Sequence, residues 1–147
     1  MRGYLGDTCA ISEFQKPAPD LGVVAWFART DLSLLYLSAF TIGELRYGID
    51  LLKDRKKRTV LERWLLSDVL GEFDGRVLGI DTDDADLWGR LRAKAKAAGK
   101  PVAVIDAMLA ATALRHNLAI VTRNESDLRP AGVEVVNPWS KTNTPRR

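Results

Sequence analysis

"VIDAMLAATALRHNLAIVT", residues 104–122, decides the fold, because its period changes once. Residues 104–117 are mostly small and apolar and contain no proline or glycine, so they read as a helix that packs closely. "LAIVT", residues 118–122, is apolar until its last residue, as a strand buried on both faces must be. Upstream, "YLGD" (4–7) is a short strand, and "ISEFQKP" (11–17) is one or two helical turns closed by Pro17 and Pro19. "GVVAWFART" (22–30) is a helix with Val23, Trp26 and Phe27 on one face, and "LSLLYLS" (32–38) reads as a strand. A helix over 39–54 carries Ile42, Leu45, Ile49 and Leu52 as a stripe. Another over 56–73 turns Val60, Leu61, Trp64, Leu65 and Val69 inward. "RVLGID" (76–81) is a strand, and the helix over 82–99 begins with acids, ends with bases and stops at Gly99 and Pro101. "VEVVNPW" (133–139) is a last strand, followed by a polar tail, "SKTNTPRR" (140–147). Strands alternating with helices predict one α/β domain over 1–139 with a mainly parallel sheet covered on both faces.

Composition narrows the chemistry. At 147 residues, 46% of them apolar, the chain suits one domain with one adequate core. A net charge of +3 is compatible with a polyanionic partner without requiring one. The single cysteine, Cys9, excludes an internal disulfide and a cysteine-rich zinc site, and the single histidine, His116, argues against catalysis by a histidine pair. No stretch is apolar for long enough to span a bilayer, and no basic region followed by an apolar run opens the chain, so the expected location is cytoplasmic.

Sites in parallel sheets form beyond the carboxyl ends of the strands. Four acids fall where such an end or a helix start is expected: Asp7 after the first strand, Glu44 one turn into a helix, Asp106 at the start of the alanine-rich helix, and Asp127 just after "LAIVT". Each has a bland local explanation. Asp7 and Asp127 suit turns, Thr41 and Glu44 have the spacing of a capping box, and Asp106 opposes a helix dipole. Taken together, four carboxylates in one cleft repel one another unless a hard divalent cation with oxygen ligands sits among them. Such an ion activates water and steadies a phosphoryl group.

The chain resembles the PIN-domain ribonucleases, specifically the VapC toxins of bacterial toxin–antitoxin pairs and the similar FitB proteins. The resemblance runs through "YLGDTCAISEFQKP", "LYLSAFTIGELRYGI", "GRVLGID", "WGRLRAKAKAAGKP", "VIDAMLAATALRHNLAIVTRNESDL" and "VEVVNPW", in family order up to residue 139. It implies a PIN-like α/β fold with four to five parallel strands. It also implies a Mg²⁺- or Mn²⁺-dependent endoribonuclease in which Asp7, Glu44 and Asp106 hold the metal. The fourth position falls in "TRNESDL", where this chain has Asn124 in place of the usual acid, so Asp127 becomes the fourth carboxylate. Asn124 is then a neutral ligand or water contact, Thr122 a hydroxyl contact, and Arg123 a phosphate contact. The implied partners are RNA, a cognate antitoxin, a second copy of the chain, and DNA only through the antitoxin; no membrane is involved.

"DTC" departs from the family's "DTN" or "DTS", with Cys9 expected as a small buried apolar residue in place of a catalytic thiol. That departure keeps open an alternative: a catalytically weak PIN domain that regulates by binding RNA or the antitoxin. A phosphatase of another α/β family would want an Asp-x-Asp pair, which "DTC" lacks. The basic run "KDRKKR" (53–58) reads first as a solvated helix junction and second as a steering surface for phosphates. Trp64 is read as core, or as the lining of a groove for a partner helix.

Overall fold

The computed structural model describes residues 3–139. The tail expected over 140–147 lies outside the described residues. The chain order is β1 (Gly3–Gly6), α1 (Thr8–Ser12), α2 (Leu21–Arg29), β2 (Leu35–Ser38), α3 (Ala39–Asp50), α4 (Arg55–Arg63), α5 (Leu70–Glu72), β3 (Val77–Leu78), α6 (Thr82–Ala97), α7 (Val104–His116), β4 (Leu118–Val121), α8 (Glu125–Leu128) and β5 (Val135–Val136). The strands form one sheet in the order β3-β2-β1-β4-β5, and every neighbouring pair is parallel.

This order follows from which strands are apolar on both faces. Leu5, Leu35, Leu37, Ile120 and Val121 are fully buried, so β1, β2 and β4 take the centre. The two-residue strands β3 and β5 are only half-buried and form the edges. On one face, Leu5, Leu118 and Ile120 pack with Leu109 and Ala113 of α7 and Ala95 of α6. On the other, Leu35, Leu37 and Val121 pack with Ile11, Trp26, Leu45, Ile49 and Leu65. Gly3 is required where the chain enters β1, since a Cβ there would run into the backbone carbonyl of Leu34.

The alanine-rich helix behaves as its composition predicts. Ala107, Ala110, Ala111, Thr112 and Ala113 are buried, so α7 lies close against the sheet. Asn117, in the left-handed region at φ 57°, ends the helix and turns the chain directly into β4. Arg115, near that end, donates to Asp81 at 2.8 Å and to the buried Asp84 at 2.9 Å. Asp81 and Asp84 also form the capping box of α6, so one arginine ties the two helices together.

Four expectations need correction. Residues 32–34 form a 3₁₀ turn capped by Asp31, so β2 starts only at Leu35. The strands expected over 76–81 and 133–139 shrink to two paired residues each, because each has a neighbour on one side only. The α3 helix ends at Asp50, so Leu52 falls outside it. The helix expected over 56–73 contains a π segment, Trp64–Val69. Its wide turn takes up one residue, so the buried stripe runs through Leu65 and Val69 while Val60 is exposed to solvent. Ile120→Ala should reduce stability by about 2–5 kcal/mol, as for an aliphatic side chain deleted from a tight core; urea unfolding followed by circular dichroism measures it.

Candidate active site

The chain fills one side of the sheet from β1 through β2 to β3, then crosses to β4 and β5 on the other. The crevice between β1 and β4 is therefore the switch point where such sheets bind ligands. Asp7 follows β1 there and Thr122 follows β4, with the Asp7 N–H bonded to the Val121 carbonyl at 3.1 Å.

Asp7 is buried and has both oxygens occupied. One accepts from the Ala10 N–H at 2.8 Å, which makes Asp7 the N-cap of α1. The other accepts a hydrogen bond from the Thr122 hydroxyl. That hydroxyl also accepts from the Asn124 N–H at 3.0 Å. Thr122 is fully buried, and its hydroxyl holds Asp7 in place. Asn124 is exposed and makes no side-chain cap for α8.

Glu44 is exposed and accepts from the Thr8 hydroxyl at 2.9 Å. The capping-box reading of Thr41 and Glu44 does not hold, because Ser38 caps α3 through the Phe40 N–H at 3.1 Å. Thr41 is buried without a hydrogen-bond partner for its hydroxyl. Glu44 is thereby left free of any capping role. Sequence reasoning misses Thr8 and Ser38. The signal for Thr8 is its place next to Asp7; Ser38 carries none beyond ending a strand before a helix.

Asp106 is half-buried in the first turn of α7, and Asp127 is exposed on α8. Both line one hollow with Pro101, Ala103, Ser126 and Pro130. Burial pushes the Asp106 carboxyl above its ordinary value, and the charges of Asp127 and then Glu44 push it further. Burial likewise raises Asp7, against the hydrogen bonds from Thr122 and Ala10, with Glu44 and Asp106 adding to the rise. The four acids thus feel one another's charge, with Asp106 as the hub.

Among the described residues, none of the four pairs with a lysine or arginine. As the side chains stand, no three acidic, histidine or cysteine groups among the described residues close on a single point. The ring is open, with Glu44 drawn toward Thr8 and Asp7 toward Thr122. Its donors are all hard oxygens with uncompensated charge, a set whose chemistry fits Mg²⁺ or Mn²⁺.

Cys9 is exposed on α1 and is not the buried residue expected, because the helix turns it outward past the acids. Partial desolvation, and then Asp7 and Glu44, push its thiol pKa up, which keeps it protonated and a poor nucleophile. Arg123 is exposed, with its guanidinium 6.0 Å from the centre of the Trp139 ring. In the basic run, Asp54 caps α4 and Arg58 donates to the Leu52 carbonyl at 3.0 Å. His116 is exposed at the end of α7.

The family model for the PIN domain matches residues 4–132. The chain belongs to the PIN-domain family. Among curated relatives, this PIN domain is 40% identical to the VapC ribonuclease Y4jK of Sinorhizobium fredii, over 90% of the chain and 95% of the relative. It is 42% identical to the toxin FitB of Neisseria gonorrhoeae, over 90% of the chain and 96% of the relative. The structure superposes on the FitAcB crystal structure from the same organism with a TM-score of 0.89, covering 92% of this chain and 98% of that one at 42% identity. A structure of FitAB bound to an IR36 DNA fragment also gives a TM-score of 0.89, at 39% identity over 93% of this chain and 96% of that one. The chain is thus a PIN-domain protein of the VapC and FitB toxin group. No helix among the described residues is long and apolar enough to cross a membrane.

The raised carboxyls fix the sign of a stability experiment. The folded metal-free domain binds protons at Asp7 and Asp106 more tightly than the unfolded chain does. Their stabilising contribution is therefore complete below the unfolded value of 3.8 and is lost as pH rises through the higher folded values. In EDTA, the melting temperature of the wild type relative to Asp106→Asn should rise as pH falls from 7 toward this range, a comparison in which the carboxyls held low in the fold, Asp31 and Asp81, cancel. Asp106→Asn should melt at or above the wild-type temperature at pH 7. A variant that melts earlier in EDTA would make Asp106 a purely structural helix-start residue.

Proposed function

We propose that the chain is the toxin of a toxin–antitoxin pair and acts in the cytoplasm as an endoribonuclease dependent on Mg²⁺ or Mn²⁺. One observation supports this reading: Asp7 and Asp106 lie at the end of a parallel sheet near Glu44 and Asp127, close enough for the charges of these acids to push the Asp7 and Asp106 carboxyls up, and none of the four has a Lys or Arg partner among the described residues. Asp7, Glu44 and Asp106 would hold the metal, and Asp127 would complete the set. When bound, the ion supplies a Lewis acid that activates water and neutralises charge on a phosphodiester.

The chain's own residues divide the remaining work. Ala10 and Thr122 hold the Asp7 carboxylate in one orientation at the end of β1. Thr8 orients Glu44. Asp106, its carboxyl raised by burial and by its neighbours, is suited to accept a proton from the attacking water, with Asp127 beside it in the same hollow. Arg123 is exposed next to Thr122 and would take a phosphate oxygen. The expected products carry a 5′-phosphate and a 3′-hydroxyl. Cys9 makes no side-chain hydrogen bond to the acids among the described residues, so Asp7 and Glu44 are oriented by Ala10, Thr122 and Thr8 instead.

The relatives crystallised as FitAcB and FitAB support an antitoxin partner, with DNA reached through that partner. An apolar hollow lined by Ile11, Phe14, Phe27, Trp64 and Phe73 would receive the antitoxin's apolar face. The resemblance to VapC and FitB also supports a homodimer with two sites.

Purified protein should cut single-stranded RNA in Mg²⁺ or Mn²⁺ and stop in EDTA; cleavage by clean protein in EDTA would overturn the metal requirement. Thr122→Val should lower activity or metal affinity by about 10–100-fold, as expected when a group orienting a metal ligand is removed. Cys9→Asn should preserve or raise activity, measured in the same assay.

A further inference from the structure

Beyond the acids lies a second hollow, lined by Arg92, Ala93, Lys96, Pro101 and Val102. Pro101 lines this hollow and also the one shared by Asp106 and Asp127, so the two adjoin across a single residue. One is acidic and the other basic. Among the described residues, no carboxylate lines the basic one.

Arg92 is set apart from the other arginines by a buried Nε with no hydrogen-bond partner among the described residues. Arg46, Arg76, Arg90 and Arg115 are all ion-paired. Arg92 has no ion pair among the described residues. Its guanidinium lies over the Trp88 ring, 5.2 Å from the centre, which holds it by a cation–π contact. Trp88 in turn donates from its indole N–H to the Val104 carbonyl at 3.0 Å, in the first turn of α7 and two residues before Asp106. The stacked pair is therefore anchored to the helix that carries the hub of the acid cluster. Lys96 follows Arg92 by four residues on α6 and is exposed, so the two cations share one face.

We propose that the Arg92–Lys96 hollow is a phosphate subsite that holds the RNA backbone on the Pro101 side of the scissile bond. The inference rests on the RNA-cleaving reading and adds to it the path of the strand. A planar guanidinium held by stacking, with unused donors, matches phosphate oxygens in a way a mobile lysine does not. A chain of phosphodiesters can place one phosphate among the acids with a divalent ion and the next on free cations, and an acidic peptide cannot serve both hollows in this way. Arg123 lies in the turn after β4, while Arg92 lies on α6, so the subsite is a separate contact.

The test is equilibrium binding of a fluorescently labelled single-stranded RNA, followed by anisotropy as a function of salt, alongside cleavage in Mg²⁺. Arg92→Gln and Lys96→Gln should each weaken binding several-fold and lower the slope of log Kd against log salt by about 0.7, the value for one single-strand phosphate contact. Arg92→Lys should keep most of the slope but bind more weakly than wild type. Lys94→Gln, on the same helix but outside the hollow, should change neither. Loss of cleavage by Arg92→Gln should appear as a raised KM recovered at high RNA concentration. Should Arg92→Gln fail to fold because its stack is lost, Lys96→Gln decides the matter, since that side chain is exposed.

Normal RNA affinity and salt slope in folded Lys96→Gln would overturn the subsite while leaving the nuclease reading intact. Failure of the wild type to bind or cleave RNA would overturn the nuclease reading, and the subsite with it. If the variants lose affinity for poly-glutamate but not for RNA, the hollow belongs to an acidic peptide and the proposal falls.

Discussion

Uncompensated negative charge at one end of a parallel sheet is the constraint on which the rest of this structure depends. Asp7 is buried, Asp106 is half-buried, and Glu44 and Asp127 stand beside them in the electrostatic field. Folding must hold these groups together although burial and the neighbouring acids push up the carboxyls of Asp7 and Asp106, and although none of the four has a basic partner among the described residues. The scaffold does this with rigid parts. Asp7 is fixed by a helix-start N–H and a buried hydroxyl, and Asp106 rides on a helix seated closely against the sheet by its alanines. The like-charge repulsion is stored in the metal-free domain and would be relieved on binding a divalent ion.

One arginine serves the scaffold instead of the acids. Arg115 is used at the far end of α7, where it neutralises Asp81 and the buried Asp84 and locks α6 to α7. That lock sets the angle of the helix whose first turn carries Asp106. Trp88, on α6, holds the first turn of α7 through Val104. Both ends of the helix bearing the hub acid are thus pinned by α6, one by an ion pair and one by an indole hydrogen bond.

Much of this was legible in the sequence. The apolar run of "LAIVT" and the small residues of α7 carried enough signal to place a buried strand beside a closely packed helix, and the α/β class with its parallel sheet followed. The four acids were found because they fall at strand ends and helix starts, where parallel sheets build sites. What the sequence did not disclose depends on long-range pairing. Edge strands β3 and β5 shortened because only one neighbour supports them. The π segment moved Val60 outward, and no period in the sequence signals one inserted residue. The bond from the Thr122 hydroxyl to Asp7, a partner 115 residues away in the chain, has no local signal. Arg92 reads as one of many helix bases, and only the fold shows its Nε buried without a hydrogen-bond partner among the described residues.

The central claim is that these acids form one cation site, and Mn²⁺ binding measured by isothermal titration calorimetry tests it most directly. The account predicts that wild-type protein, freed of metal, binds Mn²⁺ at a saturable site and that Asp7→Asn loses this binding while remaining folded. Equal Mn²⁺ affinity in the wild type and in folded Asp7→Asn would contradict it.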